Sequence, residues 1–154
     1  MYTRAIVRRP GRNFADGIST SGLGRPDFSK ALEQHLAYCE ALIKCGVELT
    51  VLDADERYPD GCFVEDTAVV NSRVKVISRP GAATRRGEEE AVAQILAGSG
   101  PVESITAPGT LEGGDVLRAE DHYFIGISER TNEEGAGQLS AILARHGFTS
   151  SVVP

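Results

Sequence analysis

The chain repeats itself. Val69-Val70 aligns with Val116-Leu117, and Ile95-Leu96 with Ile142-Leu143, both 47 positions apart. Ser78-Arg79 through Arg85 leads into a helical pattern, as Ile127-Ser128-Glu129-Arg130 does. A third copy opens the chain, where Ile6-Val7-Arg8-Arg9-Pro10-Gly11 returns as Val76-Ile77-Ser78-Arg79-Pro80-Gly81. Self-similarity at a fixed period of this size marks a fold assembled from one recurring supersecondary unit. Any α/β chain shows some likeness between its strand–helix pairs, but these matches include polar residues that packing does not require. At about 47 residues per unit, the 154 residues make three units.

Each unit reads strand, polar loop, helix, strand, acidic turn. Residues 4–8 form a strand ended by Pro10-Gly11. Phe28, Leu32, Leu36, Cys39, Leu42 and Ile43 recur at spacings of three and four, predicting an amphipathic helix over 27–44 that Gly46 stops. Residues 47–52 alternate as a strand, and 63–70 and 74–78 are expected as strands joined in a hairpin. The pattern continues with a helix over 88–96, a strand near 102–106, the pair Val116-Leu117 and a strand over 123–127. A helix over 133–145, capped by Gly147, and a strand over 148–153 complete it. The first two units run on into acidic turns, Tyr58 to Asp66 and Pro108 to Asp115, while the third reaches Pro154 without one. A unit ending on a lone strand leaves edge groups and an apolar face uncovered. The expectation is one incomplete α/β domain over 1–154, cut or completed by a second chain.

Composition narrows the function classes. Sixteen basic against 22 acidic residues give −6, which argues against nucleic acid and anionic membrane as partners, since both are bound through a basic face. The N-terminus lacks the apolar core of a signal peptide, and no apolar run approaches the length of a membrane span. Three cysteines, Cys39, Cys45 and Cys62, form no CxxC and stand at no ligand spacing to a histidine, so no zinc site is expected. An odd, sparse set fits a reducing cytoplasm.

The chemistry sits in the acidic turns. Asp60, Glu65, Asp66, Glu112 and Asp115 fall at equivalent ends of the repeated units. If the units pack about a common axis, these carboxylates converge, and such a cluster suits a hard metal cation or a planar guanidinium. Ordinary turn and loop roles compete at each position. Arg85 and Arg130 occupy matching places before Glu-rich helix starts, placed to clamp a carboxylate bidentately or to pair with neighbouring Glu residues at the surface. Acids facing arginines describe an amino-acid-like zwitterion with a cationic tail. Nucleophiles are poor: Cys39 and Cys45 read as core or helix-end residues, and Cys62 lies beside acids that disfavour a thiolate. His35 reads as a helix residue, His122 as a turn residue and His146 as a helix terminus.

Phe63-Val64-Glu65-Asp66, Arg79-Pro80-Gly81-Ala82 through Arg85-Arg86-Gly87-Glu88, Leu111-Glu112-Gly113-Gly114-Asp115 and Ile125 to Asn132 resemble the dimethylarginine dimethylaminohydrolases. These belong to the pentein, or guanidino-group-modifying, superfamily. The resemblance runs in order along essentially the whole chain, including Asp16-Gly17-Ile18 and Leu23-Gly24. It implies a five-bladed α/β propeller, of which about three blades are present here.

By this resemblance Asp66 holds a substrate guanidinium with Glu65 beside it, and Asp60 binds substrate. Arg85 and Arg130 bind the amino-acid end. Ile18, where the family commonly has Leu, offers a backbone carbonyl. Glu112 orients a catalytic histidine. The implied reaction is hydrolysis of methylated arginine to citrulline through a Cys-thiouronium intermediate, with neither cofactor nor metal. The family's histidine and cysteine have no counterpart here, so the chain is expected to be inactive alone. Arginine deiminase or citrulline hydrolase activity is the alternative within the superfamily. A non-catalytic binding fragment, self-associating through open propeller edges, is the alternative outside it.

Overall fold

The computed structural model describes residues 2–154. The chain divides into two compact units, Met1–Val64 and Glu65–Pro154.

In the first unit, β1 (Arg4–Arg8) pairs in parallel with β2 (Glu48–Leu52), and α1 (Phe28–Lys44) connects them. Asp27 caps α1, its carboxylate accepting the Lys30 N–H at 2.7 Å. Gly46 (φ 81°) ends it in the left-handed conformation. The apolar face expected of this helix exists, but Leu36 and Ile43 on it remain exposed. The physical reason is size, because a two-stranded sheet is too narrow to cover the stripe.

The second unit holds two copies of one motif. β3 (Ala68–Val70) runs antiparallel to β4 (Lys75–Ile77), α2 (Glu89–Ala97) crosses over, and β5 (Val102–Ser104) returns parallel to β4. β6 (Val116–Ala119), β7 (His122–Gly126), α3 (Glu133–Arg145) and β8 (Thr149–Val153) repeat the same order and pairing. The register makes the repeat explicit: Val69 faces Val76 as Val116 faces Ile125. The expected hairpin turns at Asn71, whose Oδ1 accepts the N–H groups of Arg73 and Val74, both at 2.9 Å. Asn71 Nδ2 donates to the buried Tyr123 hydroxyl at 3.0 Å, tying the two motifs together. Val74, Val76, Leu111, Ile125, Leu139 and Leu143 form the core between them.

Two local expectations are corrected. The stretch over 63–70 is not one strand: Val64–Thr67 is a 3-10 turn, and only Ala68–Val70 is extended. Adjacent acids disfavour a strand, and the turn sets Asp66 against partners described below. His122 is the first residue of β7 rather than a turn residue, and its ring bonds Thr149 and Ser151 on β8.

Candidate functional site

Of the seven residues to which the resemblance gives a role, two lie in the first unit. Ile18 donates its backbone N–H to both carboxylate oxygens of the buried Asp60, at 3.1 and 3.2 Å. A Cβ at Gly17 would stand 2.6 Å from Asp60 Oδ1, so glycine permits this close approach. The Ile18 side chain itself is exposed.

The other five lie in the second unit. Here the glycines explain how distant turns meet. A Cβ at Gly113 would overlap the Glu65 carbonyl oxygen, and one at Gly114 would sit 2.8 Å from Asp66 Oδ1. Gly114 N–H donates to that same oxygen at 3.0 Å. The two acidic turns are thus in direct contact, as the repeat requires of equivalent positions. Asp66 and Glu112 both face Arg85, whereas the Glu65 side chain is exposed.

Arg85 ends the 3-10 turn Ala83–Arg85 and is buried. Its Nη1 donates to Asp66 Oδ2 at 2.7 Å and lies 3.5 Å from Glu112 Oε2. Its Nη2 donates to Glu88 Oε2 at 2.8 Å. The pairing with a neighbouring Glu foreseen as a surface contact is therefore an internal one. Burial works against the Arg85 charge, but hydrogen bonds to Glu88 and then Asp66 outweigh it and push the guanidinium above the ordinary arginine range. The cation among these carboxylates is an arginine of the chain, and among the described residues no group of His, Cys, Asp and Glu is arranged to hold a metal ion.

Arg130 sits in the tight turn closed by Ser128 N–H to the Thr131 carbonyl, and its Nη1 is 3.6 Å from Glu112 Oε1. Asp115 fixes this turn, with Oδ2 accepting both the Ser128 and Thr131 hydroxyls, at 2.7 and 2.6 Å. The buried Thr131 hydroxyl also accepts the Glu112 N–H at 3.1 Å. Burial first, then Asp66 and Asp115, push the Glu112 carboxyl above its usual range, and Arg85 and Arg130 oppose them. Glu112 Oε1 is buried and has no hydrogen-bond partner among the described residues.

Glu88, Ser128 and Thr131 were not singled out from the sequence. Glu88 stood in a Glu-rich helix start, and only its spacing of three from Arg85 carried a signal.

Cys39 Sγ lies 3.7 Å from His35 Nδ1 within α1, Cys45 is its exposed C-cap, and Cys62 is half-buried. His146 Nε2 bonds Glu103 at 2.8 Å. No described helix is long and apolar enough to cross a membrane.

The family model for N,N dimethylarginine dimethylhydrolase, eukaryotic, matches residues 26–150. The chain belongs to this dimethylarginine dimethylaminohydrolase family. It is 50% identical to the N(G),N(G)-dimethylarginine dimethylaminohydrolase of Pseudomonas aeruginosa, over 99% of this chain and 61% of that protein. The structure of a Pseudomonas aeruginosa dimethylarginine dimethylaminohydrolase variant complexed with citrulline superposes with a TM-score of 0.97, again over 99% of this chain and 61% of the other. The chain thus spans less than two thirds of these family members. The N-terminal domain of a cyanobacterial arginine dihydrolase shares the fold alone, at 17% identity and a TM-score of 0.84 over 99% of this chain and 57% of that one. The architecture is the pentein-type α/β propeller, and its repeated strand–helix blade is the internal repeat of the sequence.

Proposed function

We propose that the whole protein hydrolyses an Nω-methylated arginine to citrulline and a methylamine, and that Glu65–Pro154 carries part of its guanidino-binding site. Asp66 receives the guanidinium, with Glu65 beside it. Asp60 and the Ile18 carbonyl serve the substrate, and Arg85 and Arg130 serve its amino-acid end. Glu112 orients the catalytic histidine. One observation carries this reading: the Glu112 carboxylate is nine-tenths buried, and its Oε1 has no hydrogen-bond partner among the described residues. A buried acceptor left unmet is costly, and a histidine N–H or a ligand donor would meet it. The Pseudomonas aeruginosa relative, with citrulline bound, supports the substrate class.

In the reaction, a cysteine thiolate attacks the guanidino carbon and the amine departs with a proton from the histidine. The histidine then takes a proton from the water that opens the thiouronium, returning the thiolate. Glu65–Pro154 brings no thiol to the carboxylates, since all three cysteines precede it. Its histidines are engaged elsewhere, His122 with Thr149 and Ser151 and His146 with Glu103. By the family resemblance, whose catalytic cysteine and histidine have no counterpart among these residues, the chain alone binds without turnover. Self-association through exposed sheet edges belongs to the same reading, and a clean monomer on size-exclusion chromatography counts against it.

Calorimetric titration with Nω,Nω-dimethyl-L-arginine, combined with a citrulline assay, tests the proposal. Weak binding without citrulline is expected. No binding of dimethylarginine, arginine or citrulline overturns the site, and clear turnover overturns the inactivity.

A further inference from the structure

Glu88 has no part in the roles above, yet it is among the most deeply buried side chains of the molecule. It occupies the N-cap position of α2, where its side chain makes no capping bond, although a good cap contributes about 1 kcal/mol. Its carboxylate turns inward instead, where Oε2 accepts Arg85 Nε–H at 3.1 Å and Nη2–H at 2.8 Å. The chain makes this turn through Gly87 at φ 106°, a left-handed conformation that favours glycine.

The internal repeat supplies a control. The same spacing recurs as Arg130 and Glu133. There Asn132 takes the N-cap, its side chain accepting Gly135 N–H at 2.8 Å, and Glu133 is left exposed. One sequence spacing is folded once into a buried pair that forgoes capping, and once into an ordinary capped helix.

Building on the guanidino-site reading, we infer that Glu88 is a positioning residue. By holding the Nε–Nη2 edge of Arg85, it fixes Nη1 against Asp66 and Glu112 before any ligand arrives. A guanidinium is planar, so pinning one edge sets the direction of the other. Arrangement in advance spares a ligand the cost of ordering the carboxylates. The charged groups acting on Glu112 are Arg85, Asp66, Arg130 and Asp115, and Glu88 reaches it through Arg85.

The test uses the full chain with Glu88→Gln, which keeps the shape and one acceptor, and Glu88→Met, which removes both. Three quantities are read: exchange of the Arg85 Nε–H by nitrogen-edited NMR, the titration of the Glu112 carboxyl by carbon NMR, and calorimetric binding of Nω,Nω-dimethyl-L-arginine. Arg85 exchange should accelerate about tenfold or more, as loss of a charge-assisted hydrogen bond implies, more in Met than in Gln, with Arg130 unchanged. The Glu112 titration should shift, because its coupling to Arg85 changes, and dimethylarginine affinity should fall about tenfold. Unchanged Arg85 exchange and Glu112 titration in a variant with native circular dichroism overturn the inference. Should Glu88→Met not fold, Glu88→Gln decides. If the first two readouts move but the unsubstituted chain binds no dimethylarginine, the guanidino reading falls and the positioning of Arg85 stands. If it binds and neither variant alters affinity, the reading stands and the positioning role falls.

Discussion

Replacing Arg85 by methionine removes the cation that Asp66, Glu88 and Glu112 share. The Glu88 side chain is 1% exposed, Glu112 9% and Asp66 16%, so water cannot take the place of the guanidinium. Breaking a buried pair from one side costs about 3–5 kcal/mol, because the partner charge is left uncompensated. Two charge-assisted hydrogen bonds, to Asp66 at 2.7 Å and to Glu88 at 2.8 Å, lead to the same range at about 1.5–3 kcal/mol each. The loss must also depend on pH. Burial already raises the Glu112 carboxyl, and Arg85 opposes that shift, so in the variant its folded-state pKa stands further above the unfolded value. The folded protein then takes up protons first, and the penalty is full above the raised pKa and shrinks as pH falls through it. Urea unfolding followed by far-ultraviolet circular dichroism, at pH 7 and pH 5, should show the full deficit at the higher pH and a smaller one at the lower. Arg85→Met combined with Glu88→Leu should recover part of the loss, since an apolar pair of similar volume fills the space of a buried ion pair at little or no cost. A deficit below about 1 kcal/mol, the size of an exposed ion pair, equal at both pH values, would show the cluster to be solvated and refute the reasoning.

Four further outcomes follow from local geometry. Gly113→Ala should destabilise by about 1–3 kcal/mol in thermal or urea unfolding, as overpacking does, because its Cβ meets the Glu65 carbonyl. Gly137→Ala, on the exposed side of α3 with nothing near its Cβ, should instead stabilise by about 1 kcal/mol through helix propensity. Asn132→Ala removes the acceptor of both Gly135 N–H and Thr110 N–H and should cost about 1–2 kcal/mol by the same unfolding measurement. Glu103 is held below the usual carboxylate range by hydrogen bonds from His146 and then Arg145, so carbon NMR should find its titration shifted up in His146→Ala. A depressed carboxyl stabilises the fold above its unfolded pKa, and that contribution is lost as pH falls through the folded value.

Helix ends were legible in the sequence because capping is local. Asp27 starts α1, and Gly46 and Gly147 stop α1 and α3, each within a few residues of the backbone groups it serves. The blade order was legible because the repeat is written in the apolar pairs that build it. The site was legible only where the repeat itself implied contact, which is how Asp66 and Glu112 came to be grouped. What escaped is contact between residues that no local rule relates. Gly113-Gly114 reads as a flexible loop, yet both glycines are required by a peptide carbonyl and a carboxylate some 48 positions earlier. The strand expected over 63–70 failed for a related reason. Alternation of apolar residues reports which side chains are buried, whereas here the backbone of Glu65-Asp66 must bend to let Gly114 N–H reach Asp66. Glu88 is the extreme case. Its composition reads as a solvated helix start, and its spacing from Arg85 is the same as that of Glu133 from Arg130. The difference lies one residue earlier, where Gly87 stands in one copy and the capping Asn132 in the other. A repeat is therefore most informative about architecture where its copies agree, and about chemistry where they part.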